Sequence, residues 1–321
     1  MAFFPQELLK CVTFVGYRDQ NEQYNLAGSG FWVTRQDPCN ARHRLAYFVT
    51  AAHVIDKVRE SSADRRVWLR ANTRDGGRTW QETPEICWKH HPTDPTVDLA
   101  VLKIAIPETL EHMAWPLESS ILQDSLDTEQ TGDRKVQLGD ELCIAGLFHL
   151  HTGQKRNLPI VRIGTVAALR EEPVPNRTGT PMDVYLVEAH SMGGLSGSPV
   201  FIDIANAKRM LPPSSGYMAA AYEPTSPFRF KLFGVIHGHF GVDTDLDAVA
   251  DDGKQKLPVN FGIAMVIPAE KIAQVLAQFD EEERQASQNN NRPHIALDGG
   301  AGIGANATIG IIHNPPKRSS N

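Results

Sequence analysis

Long apolar runs are missing from this sequence: nowhere do 18 residues follow one another without an interrupting polar or charged side chain. A helix crossing a bilayer needs about that many, so no membrane span is expected. Net positive charge is missing too, since 38 acidic side chains stand against 32 basic ones for a formal charge of -6. No global field exists to hold a nucleic-acid backbone or an anionic membrane, and neither is expected as a partner. Cysteine is sparse: Cys11, Cys39, Cys87 and Cys143 are scattered without C-x-x-C spacing. That argues for reduced core thiols over a disulfide framework. Met1 to Gly16 lacks the basic start, apolar centre and small-residue cleavage site of a secretory signal, so the expected compartment is the cytoplasm.

What is present is ordinary globular material. Hydrophobic residues make up 41% and charged residues 22% of 321 positions, enough for a sizeable core in two domains or one domain of two halves. Short β-branched and aromatic runs, broken by polar or Gly/Pro clusters, predict strands near Val12 to Tyr17, Gly30 to Thr34, Leu45 to Thr50, Val67 to Arg70, Glu85 to Trp88 and Leu99 to Ile104. After a charged stretch without periodicity, a second set follows: Glu141 to Gly146, Leu158 to Leu169, Val184 to Glu188, Ser198 to Ile202, Lys231 to Ile236 and Phe261 to Ile267. The expectation is an all-β chain of two six-stranded antiparallel β-barrels. The first barrel takes residues 1–115, a connector 116–135 and the second barrel 136–267. Pro268 then opens a helix over 268–285, with Ile272, Val275, Leu276 and Phe279 on one face. Residues 286–321, rich in Asn, Gly and Ser, have no apolar face to offset ordering and read as a flexible tail. Asn206 to Phe228 and Gly241 to Leu257 read as loop insertions.

Three motifs carry chemistry. Thr50-Ala51-Ala52-His53 ends an apolar strand and lifts an imidazole out of it; Val97-Asp98-Leu99-Ala100-Val101-Leu102 sets a lone carboxylate at the head of another; Gly193-Gly194-Leu195-Ser196-Gly197-Ser198-Pro199-Val200 puts a serine in a glycine-rich turn. A serine hydroxyl is a weak nucleophile until an adjacent base takes its proton, and that imidazole needs a buried carboxylate to fix its tautomer. The glycines serve the developing oxyanion, because backbone N–H groups reach it only where the chain turns tightly without side chains. The amides of Gly194 and Ser196 are the candidate donors. The alternative pattern G-x-S-x-G fails, since Ser198 occupies its last glycine position.

In motifs and in the order His53, Asp98, Ser196, the sequence resembles the trypsin-like, chymotrypsin-fold serine peptidases. It is most similar to their disulfide-poor bacterial branch, which includes the high-temperature-requirement proteases and the glutamyl endopeptidases. Gly28-Ser29-Gly30-Phe31 and Asn260-Phe261-Gly262-Ile263-Ala264 extend the likeness over residues 10 to 280. The resemblance implies His53 as general base, Asp98 as its orienting carboxylate and Ser196 as nucleophile. It also implies a P1 pocket lined by His190, His237 and Gly238. The Val235 to His237 stretch matches the glutamyl endopeptidases imperfectly, with one extra residue before His237, and leaves an acidic and a small apolar P1 residue both open. Val54 follows His53 where secreted animal trypsins carry a disulfide cysteine. Leu195 replaces the acidic residue that pairs with a freed N-terminus, so activity should not need such cleavage.

Weaker constellations add little. The pairs His90-His91, His149-x-His151 and His237-x-His239 lack further ligands at zinc spacing, and no metal is expected from them. The chemistry read here needs no cofactor. The overall expectation is an intracellular bacterial serine endopeptidase acting on protein or peptide substrates. Its rivals are a silent peptide-binding module of the same fold, or a protease effector controlled by a partner or by the tail. Gly299 to His313, free of formal charge and proline, reads there as a segment for tail-mediated pairing or self-assembly.

Overall fold

The computed structural model describes residues 4–37, 40–117, 136–148, 150–176, 178–189, 194–203, 230–244 and 257–288. Residues 118–135 of the expected connector, the whole first insertion 206–228, residues 245–256 of the second, residues 289–321 of the tail and His190 lie outside them. In the N-terminal half, a 3-10 turn at Gln6–Cys11 leads into β1 Val12–Arg18, β2 Tyr24–Asp37, β3 Asn40–Thr50, helix α1 Ala52–Ser61, β4 Arg66–Asn72, β5 Arg78–Pro84, β6 Trp88–His90, β7 Ala100–Lys103 and β8 Trp115–Pro116. They form one eight-stranded sheet, ordered β5-β4-β1-β2-β3-β7-β6, with β8 added parallel to β2. Where the sequence suggested a closed six-stranded barrel, this half is a curled half-barrel.

The C-terminal half holds β9 Glu141–Gly146, β10 Ile160–Ala168, the small ribbon β11 Val174–Pro175 with β12 Pro181–Met182, then β13 Tyr185–Glu188, β14 Pro199–Asp203, β15 Phe230–Thr244 and β16 Leu257–Pro268. Six of these strands close a barrel in the order β10-β13-β16-β15-β14-β9. Helix α2, Glu270–Gln288, follows at the expected place and runs three residues further than expected. The two β-rich halves expected from the strand pattern, and the chymotrypsin-like fold that the resemblance implies, are what the chain adopts.

Three apolar clusters hold it together. Trp32, Phe48, Val54, Ile55, Val58 and Trp88 fill the N-terminal half, and Leu142, Ile144, Val187, Phe233 and Val266 fill the barrel. A third cluster, including Phe14, Phe31, Trp115, Phe201, Phe230 and Phe279, runs between the halves and under α2. Helix α2 lays Ile272, Val275, Leu276 and Phe279 into it. From the same helix Asp280 pairs with Arg35 of β2 (Nη1–Oδ2 2.8 Å), and Gln278 donates to the carbonyl of His90 (2.7 Å). The helix thereby ties the first sheet to the barrel. Cys11 and Cys87 carry unbridged thiols, as the sparse cysteine pattern suggested.

Candidate active site

Helix α1 begins where β3 runs out, at an Ala51 N-cap in extended conformation with no side chain to cap the helix. Its first N–H groups therefore need acceptors from elsewhere. Asp98 supplies them: its carbonyl takes Ala52 N–H (3.2 Å) and its Oδ1 takes His53 N–H (2.8 Å). A carboxylate at a helix N-terminus also meets the positive end of the helix dipole. The same carboxylate places Oδ2 at 2.6 Å from His53 Nδ1. One residue thus grips both the backbone and the ring of His53, and sets which ring nitrogen faces the carboxylate. The small residues Ala51 and Ala52 make the approach possible.

Ser196 is positioned by the N-terminal sheet as much as by its own barrel. Ser29 of β2 donates its N–H to Ser196 O (2.9 Å) and its hydroxyl to Gly194 O (3.0 Å), while accepting from Leu147 N–H (2.7 Å). Thr50 Oγ1 in turn donates to Ser29 O (2.7 Å), tying the strand before His53 to the same point. Gly197 has φ +82°, and a Cβ there would stand 2.1 Å from Ser29 O, so only glycine lets the loop lie this close. The Gly-Ser-Gly-Phe stretch was legible as a family feature, but its role as the clamp on the serine loop was not. Ser198, the neighbouring hydroxyl, is fully buried against Gly146 and has no hydrogen-bond partner among the described residues. It is not presented to the cleft.

The Ser196 hydroxyl donates to the carbonyl of His237 (3.1 Å), and no hydrogen bond joins it to His53 among the described residues. His237 itself departs from expectation. It was expected in the wall of a P1 pocket, yet its Nδ1 hydrogen-bonds Asp98 Oδ2, and its ring stands edge-on to that of His53 with centroids 5.3 Å apart. The cause is a β-bulge between Ile236 and Gly238, where β15 slips by one residue against β16. An inserted residue reverses the side-chain alternation and re-aims His237 at the carboxylate. The extra residue noted before His237 in the sequence is the trace of this bulge. Gly238 faces open space, with nothing within 4 Å of where a Cβ would stand.

Burial alone would raise the Asp98 carboxyl, whose side chain is 11% exposed. Hydrogen bonds from His237 and His53, with their charge, outweigh that burial and hold it at about 2. Asp98 is therefore a firm anion at the junction of two imidazoles. His53, Asp98 and His237 offer two ring nitrogens and a carboxylate oxygen within 4.8 Å of one another, a donor set able to hold a metal ion. His91 is engaged structurally, its Nδ1 accepting from Asp94 N–H (3.0 Å) and its Nε2 against Gln274 Oε1 (2.9 Å).

The trypsin-like peptidase domain model matches residues 28–206, more than half of the chain and a range containing His53, Asp98 and Ser196. The chain belongs to that family, and it is a trypsin-like serine endopeptidase whose substrates are proteins. Among solved structures, it is similar to the apo MamO protease domain from Magnetospirillum magneticum, at 14% identity and TM-score 0.47, covering 83% of this chain and 96% of that one. Deg5 matches at 19% identity and TM-score 0.45 over 85% and 90% of the two chains. The inactive form of Rv3671c from M. tuberculosis H37Rv matches at 17% identity and TM-score 0.41 over 85% and 88%. No curated protein matches the sequence.

Proposed function

We propose that the chain hydrolyses peptide bonds through an acyl-enzyme, with Ser196 as nucleophile, His53 as general base and Asp98 as the group that orients it. The observation that carries this reading is the double grip of Asp98 on His53, Oδ1 on the backbone N–H and Oδ2 on Nδ1. With Nδ1 committed as a donor, Nε2 carries the free lone pair, the tautomer a general base needs. Ser196 Oγ leaves the His237 carbonyl by rotation about χ1, gives its proton to Nε2 and attacks the substrate carbonyl carbon. Contacts of this kind are often incomplete before substrate binds. The N–H groups of Gly194 and Ser196 hold the oxyanion, the protonated imidazole returns its proton to the leaving amine, and water repeats the sequence on the acyl group. His237 meets the same carboxylate oxygen, Oδ2, that His53 uses. With that imidazole turned away from the pocket wall, a small apolar P1 residue is the better supported of the two options.

A second reading has its own observation: the serine hydroxyl rests on a carbonyl and not on His53, as it would in a peptidase that stays inactive until a partner acts on it. Turnover of a peptide library by Ser196→Ala, His53→Ala and Asp98→Asn variants separates the two. The acyl-enzyme reading expects each to lose at least about 10³-fold, with double variants no worse than the weakest single one because the three act as a unit. Losses that multiply, or wild-type turnover no greater than that of Ser196→Ala, refute it.

A further inference from the structure

General-base chemistry asks one imidazole of Asp98, yet two converge on it. His53 Nδ1 and His237 Nδ1 both point at the same oxygen, Oδ2, from separate elements, the start of α1 and the bulge of β15. Two imidazole nitrogens and one carboxylate oxygen, arriving from three segments and leaving positions open, are the donors that zinc and its neighbours in the transition series prefer over magnesium or calcium. Metal–donor bonds of about 2.0–2.2 Å in a tetrahedral site put donor atoms roughly 3.4 Å apart. The three atoms here lie within 4.8 Å of one another, and His53, 42% exposed, has room to turn. Asp98 Oδ1 remains on His53 N–H and orients the carboxylate from behind, as an outer-sphere contact orients a metal ligand.

We propose that His53, Asp98 and His237 form a binding site for a divalent transition-metal cation of the zinc type, and that its occupancy switches the peptidase off. In the metal-free state each Nδ1 carries a proton donated toward Asp98. Coordination takes the Nδ1 lone pair, so that proton leaves and a neutral ring holds its one N–H at Nε2. The exchange moves a proton from Nδ1 to Nε2 through solvent, with no net release from a neutral histidine and release of one proton from a charged one. An Nε2 that already bears hydrogen cannot accept the Ser196 proton. The binding claim stands on geometry alone; the inhibitory consequence rests on the acyl-enzyme reading above.

The test uses the full chain with Ser196→Ala, titrated with Co²⁺ and followed by its visible ligand-field absorption, and with Zn²⁺ by calorimetry. One equivalent should bind, with ligand-field bands of a nitrogen and oxygen site, and both His237→Ala and His53→Ala should weaken binding at least about 10-fold. Circular dichroism checks that each variant is folded, and His91→Ala serves as a control expected to bind as before. In parallel, fluorophosphonate labelling of the wild-type chain should fall as Zn²⁺ is added and return with a chelator. Absence of cobalt bands on folded protein, or bands that survive both histidine substitutions, overturns the site. Cobalt bound at the site with labelling undiminished overturns the switch. Wild-type protein that never labels, even after chelation, overturns the acyl-enzyme reading while the cobalt result still decides the site.

Discussion

Replacing Ser29 by alanine should damage both stability and turnover, although Ser29 belongs to neither the base nor the nucleophile. Its side chain is fully buried and its hydroxyl joins two groups across the halves, accepting from Leu147 N–H at 2.7 Å and donating to Gly194 O at 3.0 Å. Ser29→Ala leaves a buried N–H and a partly buried carbonyl without that partner. The buried N–H costs about 1–3 kcal/mol and the partly buried carbonyl, within reach of solvent, about 1 kcal/mol, so the expected loss is about 2–4 kcal/mol. For a folded unit of this size that corresponds to roughly 4–16 °C in Tm. Gly194 carries one of the proposed oxyanion amides, and loosening its peptide should lower kcat more than it raises KM, by roughly 10- to 100-fold. Urea unfolding gives the first quantity and steady-state kinetics on a short peptide the second. A stability change under about 0.5 kcal/mol together with unchanged kcat would refute the claim that β2 clamps the serine loop.

Two further outcomes follow from single residues. Gly197→Ala combines a positive φ with a Cβ 2.1 Å from Ser29 O; the loop must shift, and stability measured by urea unfolding should fall by about 2–4 kcal/mol. Asp98 has its carboxyl lowered from 3.8 to about 2 in the fold, so its contribution is fully present above pH 4 and disappears as pH falls through about 2. The difference corresponds to about 2 kcal/mol. Wild-type stability should therefore drop more steeply than that of Asp98→Asn between pH 5 and pH 2, and parallel profiles would contradict the assignment.

The strand pattern was legible where β-branched and aromatic residues dominate, as in Leu45 to Thr50 and Glu141 to Gly146, because those residues face the core. It was not legible at β5, Arg78–Pro84, which lies at the sheet edge and reads as polar. Conversely Glu85 to Cys87, expected in a strand, forms a 3-10 turn before β6. Helix α1 escaped notice because only Val54, Ile55 and Val58 are buried along its ten residues, too short a stripe to stand out beside a strong strand. The pairing of His53 with Asp98 was legible from what each residue type can do at its place in the chain. The contact of His237 with Asp98 was not legible because one bulged residue reverses which way a strand's side chains point, and only pairing with β16 reveals the slip. Ser29 was unreadable as a clamp, since its partners lie 118 and 165 residues away.

The central claim is that Ser196 is the nucleophile. Incubating the full chain with a fluorophosphonate and mapping the adduct by peptide mass spectrometry tests it most directly. The account predicts a single adduct on Ser196, lost in Ser196→Ala and strongly reduced in His53→Ala. An adduct on the buried Ser198, or none on folded, chelator-treated protein, would contradict it.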